Sequence, residues 1–252
     1  MIQLKSAREI DIMAHGGKIL GATVAMLRRE VRAGMSTWEL DEMAESFIRS
    51  HPGATPSFKG LYGFPGSVCV SINDEIVHGI PSRRRVLKDG DIISIDVGVK
   101  YDGYHTDSAT TVAVGAVPDE SQRLLEITER ALAAGIEAAL PNNHIGDIGA
   151  AIQAVVEASG FSIVRDLVGH GIGAAFHEEP QVPNYGKPKR LMKLTPGLTI
   201  AIEPMVNAGA PRTRTMPDRW TIVTADGSRS AHFEHTVAIT DRGPRVLTRR
   251  SA

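Results

Sequence analysis

The sequence predicts an α+β fold built from two related halves. Alternating apolar and polar residues predict two antiparallel hairpins. The pattern that opens the first hairpin recurs at the start of the second, at an offset of 107 residues. Amphipathic stretches precede each hairpin and are typical of helices that cover one face of a sheet. We therefore expect one domain over residues 1–252, with halves of roughly 1–115 and 116–252.

The first predicted hairpin carries a pair of aspartates. Apolar and polar residues alternate over 91–96, a β-branched run follows at 110–114, and an Asp-Gly turn signal lies between them at 102–103. Such a hairpin can place Asp96 beside Asp107, and two adjacent carboxylates repel unless a cation neutralises them. Two solvated turn acids are the alternative, and they are the more common meaning of an isolated pair at this spacing.

A second copy of the pattern favours the metal interpretation. Residues 87–96 and 194–203 share the pattern L-x-x-G-x-x-I-x-I-[D/E], and Glu234 precedes a β-branched run as Asp107 does. The second hairpin has a longer loop, residues 207–229. Halves paired about a pseudo-twofold axis would bring two acids each to a shared centre. Two divalent ions would balance the charge of four such carboxylates.

Composition excludes several classes of protein. A formal net charge of -1 gives no global attraction to nucleic acid or to a membrane surface. Neither a signal peptide nor about 18 consecutive apolar residues is evident, so no membrane partner is expected. Cys69 is the single cysteine, which fits a reducing cytoplasm. Basic runs at 83–85, 187–190 and 249–250 are either solvated surface charges or a docking surface for a polyanion such as the ribosome.

Four helices are predicted from start signals and apolar periodicity. Two S-x-x-E capping boxes open the first two, and an aspartate serves as the cap of the third. The predicted helices run from Ser6 to near Gly34, from Ser36 to before Pro52, from Asp119 to Pro141, and from about Gly146 to Gly160.

Apolar side chains are clustered where a loop is expected. Phe58, Leu61, Tyr62 and Phe64 lie close together between prolines and glycines, which indicates a pocket wall or a packed flap. Trp220, in the long loop of the second hairpin, is either core packing or the floor of a substrate pocket.

Three histidines lie near glycines or prolines. His78 is a structural hydrogen-bonding group or a catalytic one, and the sequence leaves both open. His170 has glycine on both sides, so its backbone can approach a ligand and its ring can add a nitrogen to the four oxygens. His177 follows in a loop. The surrounding glycines match neither a Walker A loop nor a dinucleotide fingerprint, which disfavours a nucleotide site.

The five candidate ligands in this order resemble those of the type I methionine aminopeptidases of bacterial form. The resemblance covers residues 6 to about 247 and rests on the motifs SINDEIVHGIP at 71–81, DVG from Asp96, GHGIG at 169–173, IEPM at 202–205 and FEHT at 233–236. It implies a pita-bread fold, in which two pseudo-symmetric halves form a curved antiparallel sheet covered by helices, with the metal site at the centre.

The resemblance also implies roles for individual residues. Two divalent ions (Co, Mn, Fe or Zn) would be bridged by Asp107 and Glu234, with Asp96 on one ion and His170 and Glu203 on the other. The implied catalytic residues are His78, His177 and Glu203. The implied substrate-binding residues are His78, His177, Phe64, Cys69, Phe176 and Trp220, with Phe58, Leu61 and Tyr62 at the mouth.

Three pocket positions depart from the family pattern. The family often has tyrosine where this chain has Phe64, and cysteine and tyrosine where it has Phe58 and Leu61. The changes keep the pocket apolar and remove polar contacts, so fine substrate and inhibitor specificity stays open.

The implied function is removal of the N-terminal methionine from nascent polypeptides with a small second residue, by a hydroxide shared between the two ions. A cytoplasmic monomer is the expectation, and contact with the ribosome is left open. One alternative is an Xaa-Pro aminopeptidase or prolidase, although these enzymes generally carry an additional N-terminal domain. Another is a metal-free relative that binds peptides or nucleic acid.

Overall fold

Helices and antiparallel strands alternate along the chain in the computed structural model, which describes residues 2–250. The helices are α1 (Ala7–Glu30), α2 (Thr37–Arg49), α3 (Asp119–Ala138) and α4 (Ile145–Ala158), with a 3-10 turn at Leu61–Gly63. The strands are β1 (Ala54–Pro56), β2 (Val68–Ile72), β3 (Glu75–Val77), β4 (Ile92–Tyr101), β5 (Tyr104–Ala113), β6 (Ser162–Ile163), β7 (Gly169–Gly171), β8 (Glu178–Val182), β9 (Thr199–Ile202), β10 (Met205–Asn207), β11 (Thr213–Thr215), β12 (Ile222–Thr224), β13 (Ser230–His232), β14 (His235–Thr240) and β15 (Gly243–Val246). The predicted α+β class is confirmed.

Both predicted capping boxes are present. In α1 the Glu9 carboxylate accepts the Ser6 backbone N–H at 2.7 Å, and the Glu9 N–H donates to Ser6 Oγ at 3.4 Å. Ser36 and Glu39 repeat this arrangement in α2 at 2.7 and 3.3 Å. Each box satisfies backbone donors that the first helical turn leaves without partners.

Two predicted helix ends are wrong in detail. The first helix ends at Glu30 rather than near Gly34, because the backbone of Val31 has left the helical conformation, with a ψ of 123°. Asp119 is the first helical residue of α3 rather than its cap, and Pro118 occupies the capping position. Proline suits this place because the first turn needs no N–H from it.

Helix α1 is long and apolar enough to cross a membrane by length and composition alone. The core helix of a soluble protein passes the same test, and 61% of the apolar stretch of α1 is buried in the structure. A Cβ on Gly17 would lie 2.2 Å from the Leu247 carbonyl oxygen, and one on Gly21 would lie 2.4 Å from that of Arg249. The helix therefore packs tightly against the last segment of the chain, as a core helix does.

The first sheet is organised around the hairpin β4–β5. The two ten-residue strands pair from Ile92 opposite Ala113 to Tyr101 opposite Tyr104. Their turn has positive φ at both central residues, 45° at Asp102 and 87° at Gly103. Positive φ at both positions belongs to the turn type that Asp-Gly favours, so the predicted hairpin is confirmed. Strands β1 and β2 pair with the other edge of β4.

The second sheet has the strand order β15-β14-β9-β7-β8. Strands β9 and β14 pair from His235 opposite Ile202 to Ala238 opposite Thr199, in the place that β4 and β5 occupy in the first half. The long connecting loop predicted at 207–229 is more ordered than expected. It contains the small hairpin β11–β12, and β12 pairs with β3 of the first half.

The two sheets meet along β5 and the start of β14. The Asp107 N–H donates to Thr236 Oγ1 at 2.8 Å, and that hydroxyl donates back to the Asp107 carbonyl at 2.8 Å. The Glu234 N–H donates to the Ala109 carbonyl at 3.0 Å. These bonds tie one acid of each half to the backbone of the other half.

Two apolar clusters cover the outer faces of the sheets. One lies beneath α1 and α2 and includes Leu20, Leu40 and Ile95, and the other lies beneath α3 and α4 and includes Ile152 and Ile200. Each fully buried aliphatic side chain contributes roughly 1.5–3 kcal/mol relative to exposure. This burial holds the acid-bearing strands together.

Candidate metal centre and substrate cavity

A cavity of about 520 Å³ opens where the two sheets meet. Every residue that the sequence predicted for the site lies on its wall, although these residues are spread over more than 170 positions of the chain. The predicted residues found there are Phe58, Leu61, Tyr62, Phe64, Cys69, His78, Asp96, Asp107, His170, Phe176, His177, Glu203, Trp220 and Glu234.

Four acids form the floor of the cavity, and three of them are buried while Glu203 is half-buried. Asp96 lies on β4 and Asp107 on β5, while Glu203 follows β9 and Glu234 precedes β14. One ligand atom each from Asp107, His170 and Glu234 lies within 4.8 Å of the other two. Groups so close can bind a single ion.

The acids lack enough partners to be stable as isolated carboxylates. Asp96 Oδ1, Asp107 Oδ1 and Glu234 Oε1 are buried without a hydrogen-bond partner among the described residues. Burial raises the pKa of Asp96 to about 7. The pKa values of Asp107, Glu203 and Glu234 are raised well above normal, first by burial and then by the neighbouring carboxylates. A cation would remove both penalties.

His170 presents one ring nitrogen to this cluster. Its Nδ1 lies 2.8 Å from the Gly171 carbonyl oxygen, which fixes the proton on Nδ1 as the donor. The free Nε2 then lies 3.9 Å from Asp107 Oδ2 and 3.7 Å from Glu203 Oε1. Burial lowers the pKa of His170 to about 4, so the ring is neutral and able to bind a metal.

The glycines beside His170 and His78 permit close backbone packing. A Cβ on Gly171 would lie 2.2 Å from the Glu179 carbonyl oxygen, and one on Gly79 would lie 2.2 Å from that of Val70. His78 itself has a φ of 61°, a conformation that non-glycine residues adopt rarely and that is common at functional sites. Burial lowers the pKa of His78 to about 4, so its ring is neutral.

His177 lies at the mouth of the cavity. Its ring stacks on Tyr62 with centroids 5.7 Å apart, and the Tyr62 hydroxyl lies 3.3 Å from His177 Nδ1. The ring also meets those of His170 and Phe176 edge to face, at 4.4 and 4.8 Å. Burial lowers the pKa of His177. Tyr62 is 71% exposed, so the two rings form the rim rather than the floor.

An aromatic wall stands opposite the acids. Phe64 packs against Trp220 at 5.2 Å between ring centroids, and Phe58 packs against Phe176 at 5.2 Å. Cys69 is buried beside them, and burial raises the pKa of its thiol. A neutral thiol and four aromatic rings make an apolar cup next to the charged floor.

Sequence reasoning missed His232, which also lines the cavity. His232 is 2% exposed, its Nε2 lies 3.8 Å from Glu203 Oε2, and burial lowers its pKa to about 3. The strand alternation contained the signal, because His232 precedes Glu234 by two positions and such residues share a face. Met205 and Gln181, also missed, line the cavity too.

Comparison with known proteins places this arrangement in a family. The sequence profile of metallopeptidase family M24 matches residues 11–241. A methionine aminopeptidase of Clostridium perfringens is 55% identical over 248 residues, which are 98% of this chain and 99% of the relative. Methionine aminopeptidase 1 of Bacillus subtilis is 53% identical over 99% of this chain and all of the relative. The chain belongs to metallopeptidase family M24, among the methionine aminopeptidases.

Solved structures of M24 proteins share the fold. The methionine aminopeptidase of Thermotoga maritima superposes with a TM-score of 0.97 at 40% identity, covering 99% of this chain and 100% of that one. That of Rickettsia prowazekii superposes with a TM-score of 0.96 at 39% identity, covering 98% and 100%. The expected pita-bread fold is thus confirmed.

Prolidase structures are more distant from this M24 chain. The prolidase of Pyrococcus horikoshii gives a TM-score of 0.79 at 23% identity, covering 98% of this chain and 64% of that one. At this identity the likeness shows the fold alone. The predicted alternative of an Xaa-Pro peptidase therefore draws no support beyond the shared scaffold.

Proposed function

We propose that this protein removes the N-terminal methionine from nascent polypeptides and peptides whose second residue is small. The observation that carries the proposal is the meeting, in one cavity, of five potential metal ligands with an apolar cup. Membership of the methionine aminopeptidases within family M24 supports the same activity.

The acid cluster fits divalent metal ions. Its buried oxygens without partners, its neutral histidine and its raised carboxyl pKa values all indicate a site in which bound cations replace protons. We propose two ions per chain, with Asp107 and Glu234 contacting both. Asp96 would complete the site on one side, and His170 and Glu203 would complete it on the other. Cobalt, manganese, iron and zinc all suit this set of oxygen and nitrogen ligands.

Bound divalent ions would supply activated water at neutral pH and would polarise the scissile carbonyl. Glu203, on the floor beside His170, is the carboxylate that would carry a proton from water to the leaving nitrogen. His177 donates a hydrogen bond to the carbonyl oxygen as negative charge develops on it, and His78 contacts the scissile amide.

The apolar cup would hold the methionine side chain. Phe64, Cys69, Phe176 and Trp220 form its wall, and aromatic rings make favourable contacts with a thioether sulfur. Phe58, Leu61 and Tyr62 would lie at its mouth. An apolar pocket alone distinguishes a methionine side chain from a leucine side chain only modestly.

The remaining predictions concern the setting of this activity. We propose that residues 1–252 act as one catalytic unit with related halves of roughly 1–115 and 116–252, as a cytoplasmic monomer. The spread of the cavity wall over both halves supports a single unit. Contact with the ribosome would place the site near emerging chains. The basic runs at 83–85 and 187–190 are the surfaces to test for it.

Peptide hydrolysis tests the proposal. The purified protein, loaded with Mn²⁺, should release methionine from Met-Ala-Ser and leave Xaa-Pro peptides intact, and a chelator should stop the reaction. Hydrolysis of the Xaa-Pro peptides in place of Met-Ala-Ser would assign the protein to the prolidase-type activity instead. Peptide binding without any turnover in the presence of metal would indicate a binding protein.

A further inference from the structure

A buried ion pair links the start of the chain to the loop that carries His177. The Lys5 ammonium contacts Glu178 Oε2, and the two side chains are only 3% and 8% exposed. Lys5 is itself anchored, because its ammonium donates to the Gln3 carbonyl at 2.9 Å and its backbone N–H donates to the Gly197 carbonyl at 2.7 Å. The pair therefore joins two parts of the fold rather than two mobile side chains.

The loop of residues 173–178, whose last residue is also the first residue of β8, is fixed at several points around this pair. The second oxygen of Glu178 accepts the Ala175 N–H at 3.1 Å. Gly173 packs directly on Lys5, since a Cβ there would lie 2.3 Å from Lys5 Cε. The Gly173 carbonyl accepts the His105 N–H at 2.8 Å. Lys5 thus contacts both the first and the last residue of the loop.

The side chain of His177 is held weakly by its own contacts. Its polar contact is the 3.3 Å approach of the Tyr62 hydroxyl, and Tyr62 is itself 71% exposed. The ring packing with Phe176 and His170 limits its rotation but does not aim a nitrogen. The orientation of the His177 ring must then be set by the backbone of His177. Because Glu178 is the next residue, fixing Glu178 also fixes that backbone.

The Lys5–Glu178 pair differs from the ion pairs on the surface. The pair of Arg245 with Asp11, for example, is 48% and 68% exposed, and such pairs contribute little to stability. Two charges taken out of water are costly unless they meet in one geometry, and the loss of either partner strands the other. Glu178 also lines the cavity, so Lys5 neutralises a negative charge next to the proposed oxyanion donor.

We propose that Lys5 is a positioning residue for the peptidase reaction. Through Glu178 it holds the loop of residues 173–178 so that His177 faces the scissile carbonyl. Lys5 contacts no substrate, and its effect on turnover passes through His177. This inference rests on the proposed function of the site, and its test includes a measurement that does not need turnover.

The first measurement is hydrogen exchange of the full-length protein by mass spectrometry. Lys5→Met should raise exchange of the peptide covering residues 173–178 by about tenfold or more, because the loop loses its anchor. Lys5→Arg keeps the charge and should restore protection. Arg245→Met, which breaks an exposed pair, is the matched control and should leave this peptide unchanged. Unchanged loop exchange in Lys5→Met would overturn the inference, even if the wild type proved inactive.

The second measurement separates positioning from stability. Lys5→Met should lower kcat for Met-Ala-Ser by about 10- to 100-fold and change KM by less than about twofold, because a displacement near 1 Å costs that much in rate. Arg245→Met should keep wild-type kcat. In a His177→Ala background, adding Lys5→Met should cost less than about twofold, since its effect passes through His177.

The double variant Lys5→Met with Glu178→Gln guards against a folding defect. It removes the stranded charge, so its urea midpoint should return towards that of the wild type while kcat stays low. If kcat of this double variant recovered together with its stability, the positioning role of Lys5 would be contradicted. The role would also be contradicted if the losses of kcat caused by Lys5→Met and His177→Ala were additive. A wild type without turnover would instead remove the proposed function.

Discussion

The two acid-bearing hairpins differ in how much of the site each one supplies. In the first, β4 and β5 pair without interruption over ten residues each and close in a two-residue turn, so the hairpin contributes Asp96 and Asp107 and little else. In the second, four-residue β9 and six-residue β14 are separated by a long excursion. That excursion, residues 204–233 between Glu203 and Glu234, brings Trp220 and His232 to the cavity, and its strand β12 pairs with β3 of the first half.

The difference separates two kinds of site residue, the acids and the residues of the cavity wall. The repeated parts of the hairpins carry the acids at equivalent places, as a metal centre shared between halves requires. The part without a counterpart in the first half carries wall residues, as substrate recognition requires. Changes in the repeated strands should then affect metal binding, and changes in the excursion should affect substrate binding with the metals in place.

The largest effect is expected from the acids that would contact both ions. Asp107→Asn and Glu234→Gln should each abolish turnover and weaken metal binding by more than the roughly 10- to 100-fold seen when an outer partner of a metal ligand is changed. Circular dichroism should show an intact fold. Asp102→Asn, in the exposed turn of the same hairpin, is the matched control and should behave as wild type. Full activity in either acid variant would contradict the proposal that Asp107 and Glu234 each contact both ions.

Asp96 should matter less, because it would bind only one of the two ions in the proposed centre. Asp96→Asn is expected to hold one ion per chain instead of two. Its turnover should fall by more than the roughly 10- to 100-fold that changing an outer partner of a metal ligand costs, yet stay measurable. Metal analysis of the purified protein measures the ratio directly. If this variant bound two ions or none, the proposal that Asp96 binds one ion while Asp107 contacts both would be contradicted.

The excursion of the second hairpin should affect the substrate and leave the metals. Trp220→Ala is expected to lower kcat/KM for Met-Ala-Ser by about 10- to 200-fold, since an apolar pocket loses part of its contact with the side chain. Its metal content should equal that of the wild type. Arg214→Ala, on exposed β11 of the same excursion, serves as the control. Loss of metal from Trp220→Ala would contradict the claim that the excursion affects substrate binding without affecting metal binding.

The smallest effect is expected at the tight turn of the first hairpin. Gly103 has a φ of 87° with free space around it, so Gly103→Ala should lower the free energy of unfolding by about 1–2 kcal/mol through backbone strain alone. Asparagine tolerates this conformation, so Gly103→Asn should cost less. Urea unfolding measures both, and kcat/KM should match the wild type. An altered metal content would mean that the turn sets the spacing of the acids.

The first hairpin was predictable because its signals are local. The turn at 102–103, the alternation before Asp96 and the two capping boxes each lie within a few residues of the structure they specify. The repeat added a long-range inference, that acids of two halves meet, and the structure brings Asp107 within reach of Glu234. The proposed roles of these acids and the division into halves remain predictions.

The rest depends on contacts without a local signal. Lys5 and Glu178 are 173 residues apart, and neither has a sequence context that indicates burial. The order of the excursion comes from the pairing of β12 with β3 across the halves, which the composition of the loop does not predict. The helix ends at Glu30 and Pro118 were set by local backbone conformation that propensity resolves only to a few residues.

The central claim is that cations stabilise the acid cluster, and urea unfolding of chelator-treated protein tests it most directly. Because the pKa of Asp96 is about 7 in the folded protein and 3.8 ordinarily, the folded state binds more protons between these values, so stability from this group falls as pH rises through them. Buried His78 and His170 have lowered pKa values and the opposite slope, which cancels when the wild type is compared with Asp96→Asn.

We predict that, without metal, the stability of the wild type relative to Asp96→Asn falls between about pH 4 and about pH 7. Mn²⁺ at 100 times its Kd should then raise the free energy of unfolding of the wild type by about 2.7 kcal/mol for each ion bound at about pH 8. A difference that does not change with pH, together with no stabilisation by Mn²⁺, would contradict the claim.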